Sequence, residues 1–202
     1  MTSVLPSLLP PAPELSDSRR RLYEAAIVLF GDQGFHAVSV RDLAASLGQQ
    51  PGALYGHVAS KQDLLFELML LGVRTHRDAL KAALLDAGRE PADQIRALVR
   101  AHVAAHLTYQ PLARVTNREV RALSDAQRDA VAIIRGESER MFLDVIERGC
   151  DLGAFTVSDP LLAVYAVGAM GVRAAEWWTA DAPRTPDQVG DTYADFALRL
   201  LS

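Results

Sequence analysis

The sequence has little of what several classes of protein require. Its 202 residues contain one cysteine, Cys150, so no internal disulfide can form and a reducing compartment is expected. No apolar run reaches the roughly 18 residues of a membrane span. The start, residues 1–15, is apolar and rich in proline but lacks the basic residues of a secretory signal. We therefore expect a cytosolic protein without a membrane partner, whose residues 1–15 form a disordered tail.

Positive charge and catalytic patterns are also scarce. The formal net charge is −4, whereas a nucleic-acid-binding domain usually carries a basic surplus. A small DNA-reading module joined to an acidic domain would give the same balance, so charge does not decide the question. The sequence has no glycine-rich phosphate loop, no serine or cysteine nucleophile motif and no paired carboxylates. We expect neither an enzyme nor a cofactor.

Strand signals are nearly absent, and the apolar residues recur at helical spacing between prolines and glycines, which predicts an all-α fold of about nine helices. Ser18 is expected to cap the first helix. Ser39 and Asp42 have the spacing of a capping box at the start of a short second helix. After a turn at Gly48, Pro51 begins a third helix of about two turns.

The remaining helices are longer. We predict a fourth over 61–87, a fifth and a sixth that start near Pro91 and Pro111, a seventh from Ser124, an eighth from Asp159-Pro160 and a ninth from Thr185-Pro186.

Two short helices joined by a glycine turn, after a longer helix, are typical of a helix-turn-helix that reads DNA. The runs Ser39-Val40-Arg41-Asp42-Leu43-Ala44-Ala45-Ser46-Leu47-Gly48 and Pro51-Gly52-Ala53-Leu54-Tyr55-Gly56-His57-Val58-Ala59-Ser60-Lys61 resemble the signature of the tetracycline-repressor (TetR) family. The resemblance covers about residues 20–71. It implies a DNA-binding domain over 16–62 and a ligand-binding and dimerisation domain over 63–202.

The resemblance also implies roles for individual residues. Ser39, Tyr55, His57 and Lys61 would contact phosphates, Gln50, Pro51, Gly52 and Ala53 would face bases, and Arg41 would contact either. The sequence departs from the family pattern at Gln49, where an apolar residue is usual, and at Val58, where an aromatic one is usual. Both departures bear on packing or on operator choice.

The last two helices are expected to form a dimer interface. Helix eight is apolar on almost every face, so each face must pack against other residues. Helix nine has apolar residues along one face. We expect Gly168, Gly171, Tyr193 and Phe196 to contact a second copy of the chain. A helix buried entirely within one chain is the alternative.

The candidate ligand-binding residues lie on the middle helices and at the end of helix eight. These are His102, His106, Arg114, Arg118, Arg121, Met141 and Trp177. Of the neighbouring Trp177 and Trp178, one is expected to line the pocket and the other the interface, and the sequence leaves open which. His102 and His106 have the spacing of a metal-binding pair, but no third ligand follows at a clear spacing, so no metal site is expected. The three arginines form a stripe that suits phosphate groups.

The sequence therefore predicts a homodimeric regulator, most simply a repressor, that binds a double-stranded DNA operator and is released by a small apolar inducer such as a fatty acid or acyl-coenzyme A. Transcriptional activation needs the same DNA contacts. A drug-responsive efflux regulator of the same family, and a helical protein-interaction module without DNA binding, are the alternatives.

Overall fold

The computed structural model describes residues 7–54 and 56–202, and in these residues it contains α-helices, one short 3-10 helix and no β-strand. The prediction of an all-α fold with about nine helices is confirmed, since these residues form nine α-helices. The α-helices are α1 (Asp17–Gln33), α2 (Val40–Ser46), α3 (Pro51–Leu54), α4 (Lys61–Asp86), α5 (Pro91–Thr108), α6 (Gln110–Arg118), α7 (Asp125–Asp151), α8 (Pro160–Trp177) and α9 (Pro186–Leu200), and the 3-10 helix (Glu119–Ala122) follows α6.

Side-chain caps explain where several helices begin. The hydroxyl of Thr185 accepts a hydrogen bond from the backbone of Gln188 as α9 starts, and Asp159 caps α8 in the same way. The first helix starts earlier than predicted, because Ser16 rather than Ser18 accepts the capping bond, from Arg19. It ends at Gly34, whose φ of 80° is in the region that favours glycine.

The chain divides into two compact units, which cut across the predicted boundary at residue 62. The N-terminal unit comprises residues 7–73 and 109–132, and the C-terminal unit comprises residues 74–108 and 133–202. Helices α4 and α7 each contribute residues to both units. Helix α6, which the sequence suggested was part of the ligand-binding domain, therefore belongs to the unit that contains α1, α2 and α3.

The N-terminal unit is held together by apolar residues of its first three helices. Leu22 and Phe30 of α1, Leu43 of α2, and Leu54 of α3 are almost fully buried. Helix α6 packs on α1. The close packing of α4 on α6 depends on Gly72, because a Cβ atom there would lie 2.7 Å from Cγ2 of Thr116.

The structure differs from the predicted disordered tail over residues 7–15, the part of that segment that it describes. Residues 1–6 lie outside the described residues. Within residues 7–15, Leu9 and Ala12 are buried, and the carbonyl of Ala12 accepts a hydrogen bond of 3.2 Å from Arg20 Nη2. These contacts hold that part of the segment on the N-terminal unit.

In the C-terminal unit, α5 packs against α9 and α8. Ile95, Leu98, Val99 and Val103 of α5 are buried in one apolar core. At the surface, Arg96 pairs with Asp195 at 2.6 Å and Arg100 with Asp191 at 2.9 Å; exposed pairs of this kind add little stability. None of the helices in the described part of the chain has the length and apolar character needed to cross a membrane.

Candidate DNA interface and effector site

The second and third helices present small and polar residues to solvent. Gln50, Gly52 and Ala53 are exposed, while Leu54 and Val58 face the core. Arg41 on α2 is also exposed, and Pro51 and His57 are half-buried. Three of the four residues that we expect to face bases are thus accessible, immediately before α3 and in its first turn. Tyr55 lies outside the described residues.

Ser39 is tied to its own helix. Its Oγ donates to Asp42 Oδ2 at 2.6 Å and accepts from the Asp42 backbone at 3.2 Å, while its backbone N–H donates to the same carboxylate at 2.8 Å. These bonds from Ser39 lower the pKa of Asp42, so the carboxylate is charged at neutral pH. The predicted capping box is present, and a phosphate contact by the hydroxyl requires it to turn away from Asp42.

Lys61 has a structural role that the sequence did not reveal. Its Nζ donates to the carbonyls of Phe35 at 2.7 Å and Val38 at 2.6 Å, and lies 4.1 Å from the centre of the Phe35 ring. Partial burial lowers the pKa of Lys61. An ammonium group has three donors, so the two carbonyl bonds leave one for a phosphate. Lys61 thereby fixes the loop that leads into α2.

A second polar contact joins α1 to α4. Tyr23 donates to Glu67 Oε2 at 2.7 Å, and Arg19 pairs with Glu67 Oε1 at 2.7 Å. Burial, followed by the bond to Glu67, raises the pKa of Tyr23 to about 12. Arg19 and Glu67 are each about one third exposed. This ion pair therefore orients the two helices and adds little stability.

The three candidate phosphate-binding arginines lie in the N-terminal unit. Arg114 is half-buried on α6, Arg118 is exposed at its end, and Arg121 is exposed on the 3-10 helix. Met141 and the two histidines predicted to bind ligand lie in the C-terminal unit. The structure thus divides the predicted ligand-binding residues between the two units.

An exposed apolar face extends along α8 and α9. Its members are Leu161, Leu162, Tyr165, Val172, Trp177, Phe196 and Leu200. Tyr193 is partly buried, with its ring centre 6.2 Å from that of Phe196. Trp177, predicted to bind ligand, is on this outer face, whereas Trp178 is buried and donates from Nε1 to the carbonyl of Arg184 at 2.9 Å.

The two glycines of α8 behave differently. A Cβ atom at Gly168 would meet no described atom within 4 Å, while one at Gly171 would lie 2.3 Å from the ring of His102. The close approach that Gly171 permits is therefore to a side chain of its own unit. We leave Gly171 out of the surface that a second copy would contact.

A groove of about 430 Å³ lies on the C-terminal unit. Its walls are Leu84, Arg89, Gln94, Met141, Asp144, Val145 and Arg148. Arg148 Nη1 donates to the carbonyl of Arg89 at 2.9 Å and its other terminal nitrogen contacts Gln94. The groove combines apolar side chains with two guanidinium groups and the carboxylate of Asp144. Of the predicted ligand-binding residues, Met141 lines it.

Three histidines meet inside the C-terminal unit: His76 of α4 with His102 and His106 of α5. Their ring centres are 4.5–5.3 Å apart. His76 Nε2 lies 2.7 Å from His102 Nδ1, His102 Nε2 lies 2.9 Å from the carbonyl of Gly168, and His106 Nδ1 lies 2.9 Å from the carbonyl of His102. The sequence indicated only two members, because His76 lies on another helix.

The three imidazoles are neutral at physiological pH. Burial is the main cause, and it lowers the pKa of His76 to about 3 and those of His102 and His106 below their usual value. The guanidinium of Arg135 on α7 lowers the pKa values of His76 and His106 further. Each ring therefore has one N–H and one nitrogen lone pair.

Two family profiles match the chain. The one described as "Bacterial regulatory proteins, tetR family" matches residues 22–68, and "Tetracyclin repressor-like, C-terminal domain" matches residues 88–201. The first match contains the helix-turn-helix, and the second contains two of the three clustered histidines and the whole of α8 and α9.

Individual proteins are similar over nearly the whole chain. The HTH-type transcriptional repressor KstR2 of Mycobacterium tuberculosis is 27% identical over 189 residues, which are 93% of this chain and 94% of that protein. A crystal structure of a tetR-family bacterial regulatory protein from Rhodococcus RHA1 is 31% identical, has a TM-score of 0.86, and covers 93% of this chain and 98% of its own. AibR in complex with isovaleryl coenzyme A and operator DNA is 20% identical with a TM-score of 0.78, over 89% of this chain and 97% of its own, which is a likeness of fold alone.

Proposed function

Since the chain belongs to the TetR family of bacterial transcriptional regulators, we propose that it is a homodimeric repressor whose operator affinity is lowered by a small apolar acid or its coenzyme A thioester. The observation that carries this proposal is the accessible α3 face, supported by a capped α2 and by a loop that Lys61 fixes in place. The KstR2 relative is a repressor, which favours repression over activation.

The residues expected to contact DNA are those of the N-terminal unit. Gln50, just before α3, and Gly52 and Ala53 in its first turn are exposed, where side chains of a recognition helix reach base edges. Arg41 is exposed on α2 and suits a phosphate or a guanine. Ser39, Tyr55, His57 and the third donor of Lys61 are proposed phosphate contacts. Such contacts set orientation and salt dependence rather than sequence preference.

The dimer is proposed to form through the exposed apolar face of α8 and α9. Large contiguous apolar patches on a soluble protein usually mark an interaction site. A second copy of the chain presents the same face, and a two-fold symmetric contact is self-complementary. Such a dimer carries two reading helices, as an operator with two half-sites requires. Gly168 lies on this face with open space beside it, and Phe196 and Tyr193 extend it on α9.

The effector class follows from apolar surface next to cations. The groove beside Met141 has Leu84 and Val145 for an acyl chain and Arg89 and Arg148 for phosphate groups. The arginines of the N-terminal unit, Arg114, Arg118 and Arg121, are the second candidate phosphate site. That a protein of the same fold, AibR, binds isovaleryl coenzyme A supports this class by analogy of fold.

Release from DNA is proposed to be a shift between two conformations. A ligand changes such an equilibrium only if it binds the non-DNA-binding conformation more tightly. Helix α4 begins in the N-terminal unit and ends in the C-terminal unit. A ligand-linked tilt of α4 would change the spacing of the two reading helices in the dimer.

The test is a titration of acyl-coenzyme A thioesters of increasing chain length into a preformed complex of protein and operator, followed by fluorescence anisotropy. We expect release by wild-type protein and weaker release by Arg148→Ala or Arg118→Ala, whichever arginine holds the phosphates. Arg74→Ala, an exposed arginine of α4, is the matched control. Release by uncharged aromatic drugs together with indifference to every thioester would instead identify the drug-responsive regulator of the same family.

A further inference from the structure

The histidine cluster of the C-terminal unit has the composition of a transition-metal site. One ring nitrogen from each of His76, His102 and His106 lies within 4.8 Å of the other two. Three imidazoles with an open fourth position are one of the arrangements that bind zinc. His102 and His106 are one helical turn apart on α5, a spacing that directs two rings to the same point.

The hydrogen bonds around the cluster fix the ring orientations as a metal site requires. A carbonyl oxygen only accepts, so the bond to Gly168 places the proton of His102 on Nε2 and leaves its lone pair on Nδ1. In the same way the bond to the carbonyl of His102 places the proton of His106 on Nδ1 and leaves its lone pair on Nε2. Metal-binding histidines usually donate their second N–H to a carbonyl or carboxylate in this manner.

His76 supplies the third nitrogen. Its Nε2 lies 2.7 Å from His102 Nδ1 and donates a hydrogen bond to that lone pair. Two nitrogens bound to one tetrahedral zinc ion, each about 2.0–2.1 Å from the metal, lie about 3.3 Å apart. Entry of an ion therefore requires His76 to move its proton to Nδ1 and the two rings to separate by about half an ångström.

We propose that His76, His102 and His106 bind a divalent metal ion of the zinc class, with a fourth coordination position that takes water or a carboxylate. The donor set selects among metals, because imidazole nitrogen suits zinc, copper, nickel and cobalt, while magnesium and calcium prefer oxygen. Arg135 brings positive charge close to the rings, which favours an anionic fourth ligand. This site goes beyond the proposed function, since a repressor could respond to an acyl thioester with or without it.

Gly171 provides a way to disturb the site without removing a ligand. A Cβ atom at this position would lie 2.3 Å from Cδ2 and Nε2 of His102, so Gly171→Ala must displace that ring. Gly136→Ala on α7 is the matched control, because a Cβ atom at this exposed glycine would meet open space. Each variant adds one methyl group to a helix of the C-terminal unit, and only the one at Gly171 would clash with a cluster histidine.

The experiment is a titration of chelator-treated full-length protein, in a Cys150→Ser background, with Zn²⁺ by calorimetry and with Co²⁺ by visible absorption. We expect one ion per chain and the ligand-field bands of four-coordinate Co²⁺. His106→Gln should weaken binding by roughly a hundredfold or more and Gly171→Ala by at least roughly tenfold. His36→Gln, at an exposed histidine outside the cluster, and Gly136→Ala should bind like the parent.

Circular dichroism establishes that each variant retains its helices. X-ray absorption on the zinc-loaded parent protein does not depend on any variant and should show three imidazole nitrogens at about 2.0–2.1 Å. Failure of the folded parent to bind an ion, or binding that His106→Gln leaves unchanged, would overturn the proposal. Operator binding and release by thioesters are separate measurements, so this failure would leave the proposed function standing.

Discussion

The two units of the chain place their polar groups in opposite ways. In the N-terminal unit, the groups expected to contact DNA are at the surface and come from one short stretch, such as Ser39 and Arg41, two residues apart and both exposed. In the C-terminal unit, the main polar cluster is buried and joins helices, since His76 and His102 are 26 residues apart in sequence. A surface that reads DNA can be recognised from local spacing, whereas a buried cluster depends on how helices pack.

The largest expected effect comes from preventing dimerisation, which is the proposed contribution of the C-terminal unit to DNA binding. Leu162→Glu places a charge on the exposed face of α8 and should prevent dimerisation. A monomer has one reading helix instead of two, so its operator affinity should be lower by about a hundredfold or more. Light scattering should report a monomer, and circular dichroism should report an unchanged helix content.

Leu85→Glu is the control, since Leu85 is a leucine of α4 that is 76% exposed, compared with 62% for Leu162. A Leu162→Glu protein that remains dimeric and binds operator normally would show that the dimer forms through another surface.

Lys61→Ala should separate a structural role from a DNA contact within the N-terminal unit. It removes two hydrogen bonds from a charged donor, and we expect the free energy of unfolding to fall by about 1–3 kcal/mol. If the third donor reaches a phosphate, as expected, the salt dependence of DNA binding should also flatten by about one unit.

Chemical denaturation and anisotropy at several salt concentrations measure the two effects. Lys81→Ala, at an exposed position of α4, should change neither. A lower stability with an unchanged salt slope would restrict Lys61 to its role in the loop.

Much of the fold could be predicted because its signals are local. The capping residues at Ser39, Asp159 and Thr185 act within three positions of a helix start, so they can be read directly from the sequence. The first helix was misplaced by a few residues because Ser16 and Ser18 are equally good caps. The third is one turn long rather than two.

The candidate effector residues were harder to predict because they depend on packing. His76 has no sequence relation to His102 and His106 that would single it out. Neighbouring tryptophans at the end of α8 point in different directions, so Trp178 is inside and Trp177 outside. The arginines of α6 fall in the N-terminal unit, which no periodicity along the chain could indicate.

Gln50→Ala tests a residue that is expected to read a base and not to stabilise the fold. Gln50 is exposed before α3, and loss of a base contact should reduce discrimination at one base pair by about 1–3 kcal/mol. Stability should not change. Competition between operators that differ at single positions measures the effect, and Gln33→Ala, exposed at the end of α1, should leave discrimination intact. Equal loss of affinity for all sequences would make Gln50 a phosphate contact.

The smallest effect is expected at the contact between α1 and α4. Tyr23→Phe removes the hydroxyl that donates to Glu67 and should lower the free energy of unfolding by about 0.5–1.5 kcal/mol. Thermal unfolding of the variant and the wild-type protein measures this change. Equal stability of the two proteins would mean that the Tyr23 hydroxyl contributes nothing beyond its bonds to water.

The central claim is that this chain reads DNA as a dimer through α3, and selection of binding sites from a random double-stranded library tests it most directly. The full-length protein is expected to enrich one motif with two inverted half-sites, at a salt concentration where non-specific binding is weak. Gln50→Ala should relax one position in each half-site. Recovery of no common motif, with DNA retained only at low salt, would contradict the claim.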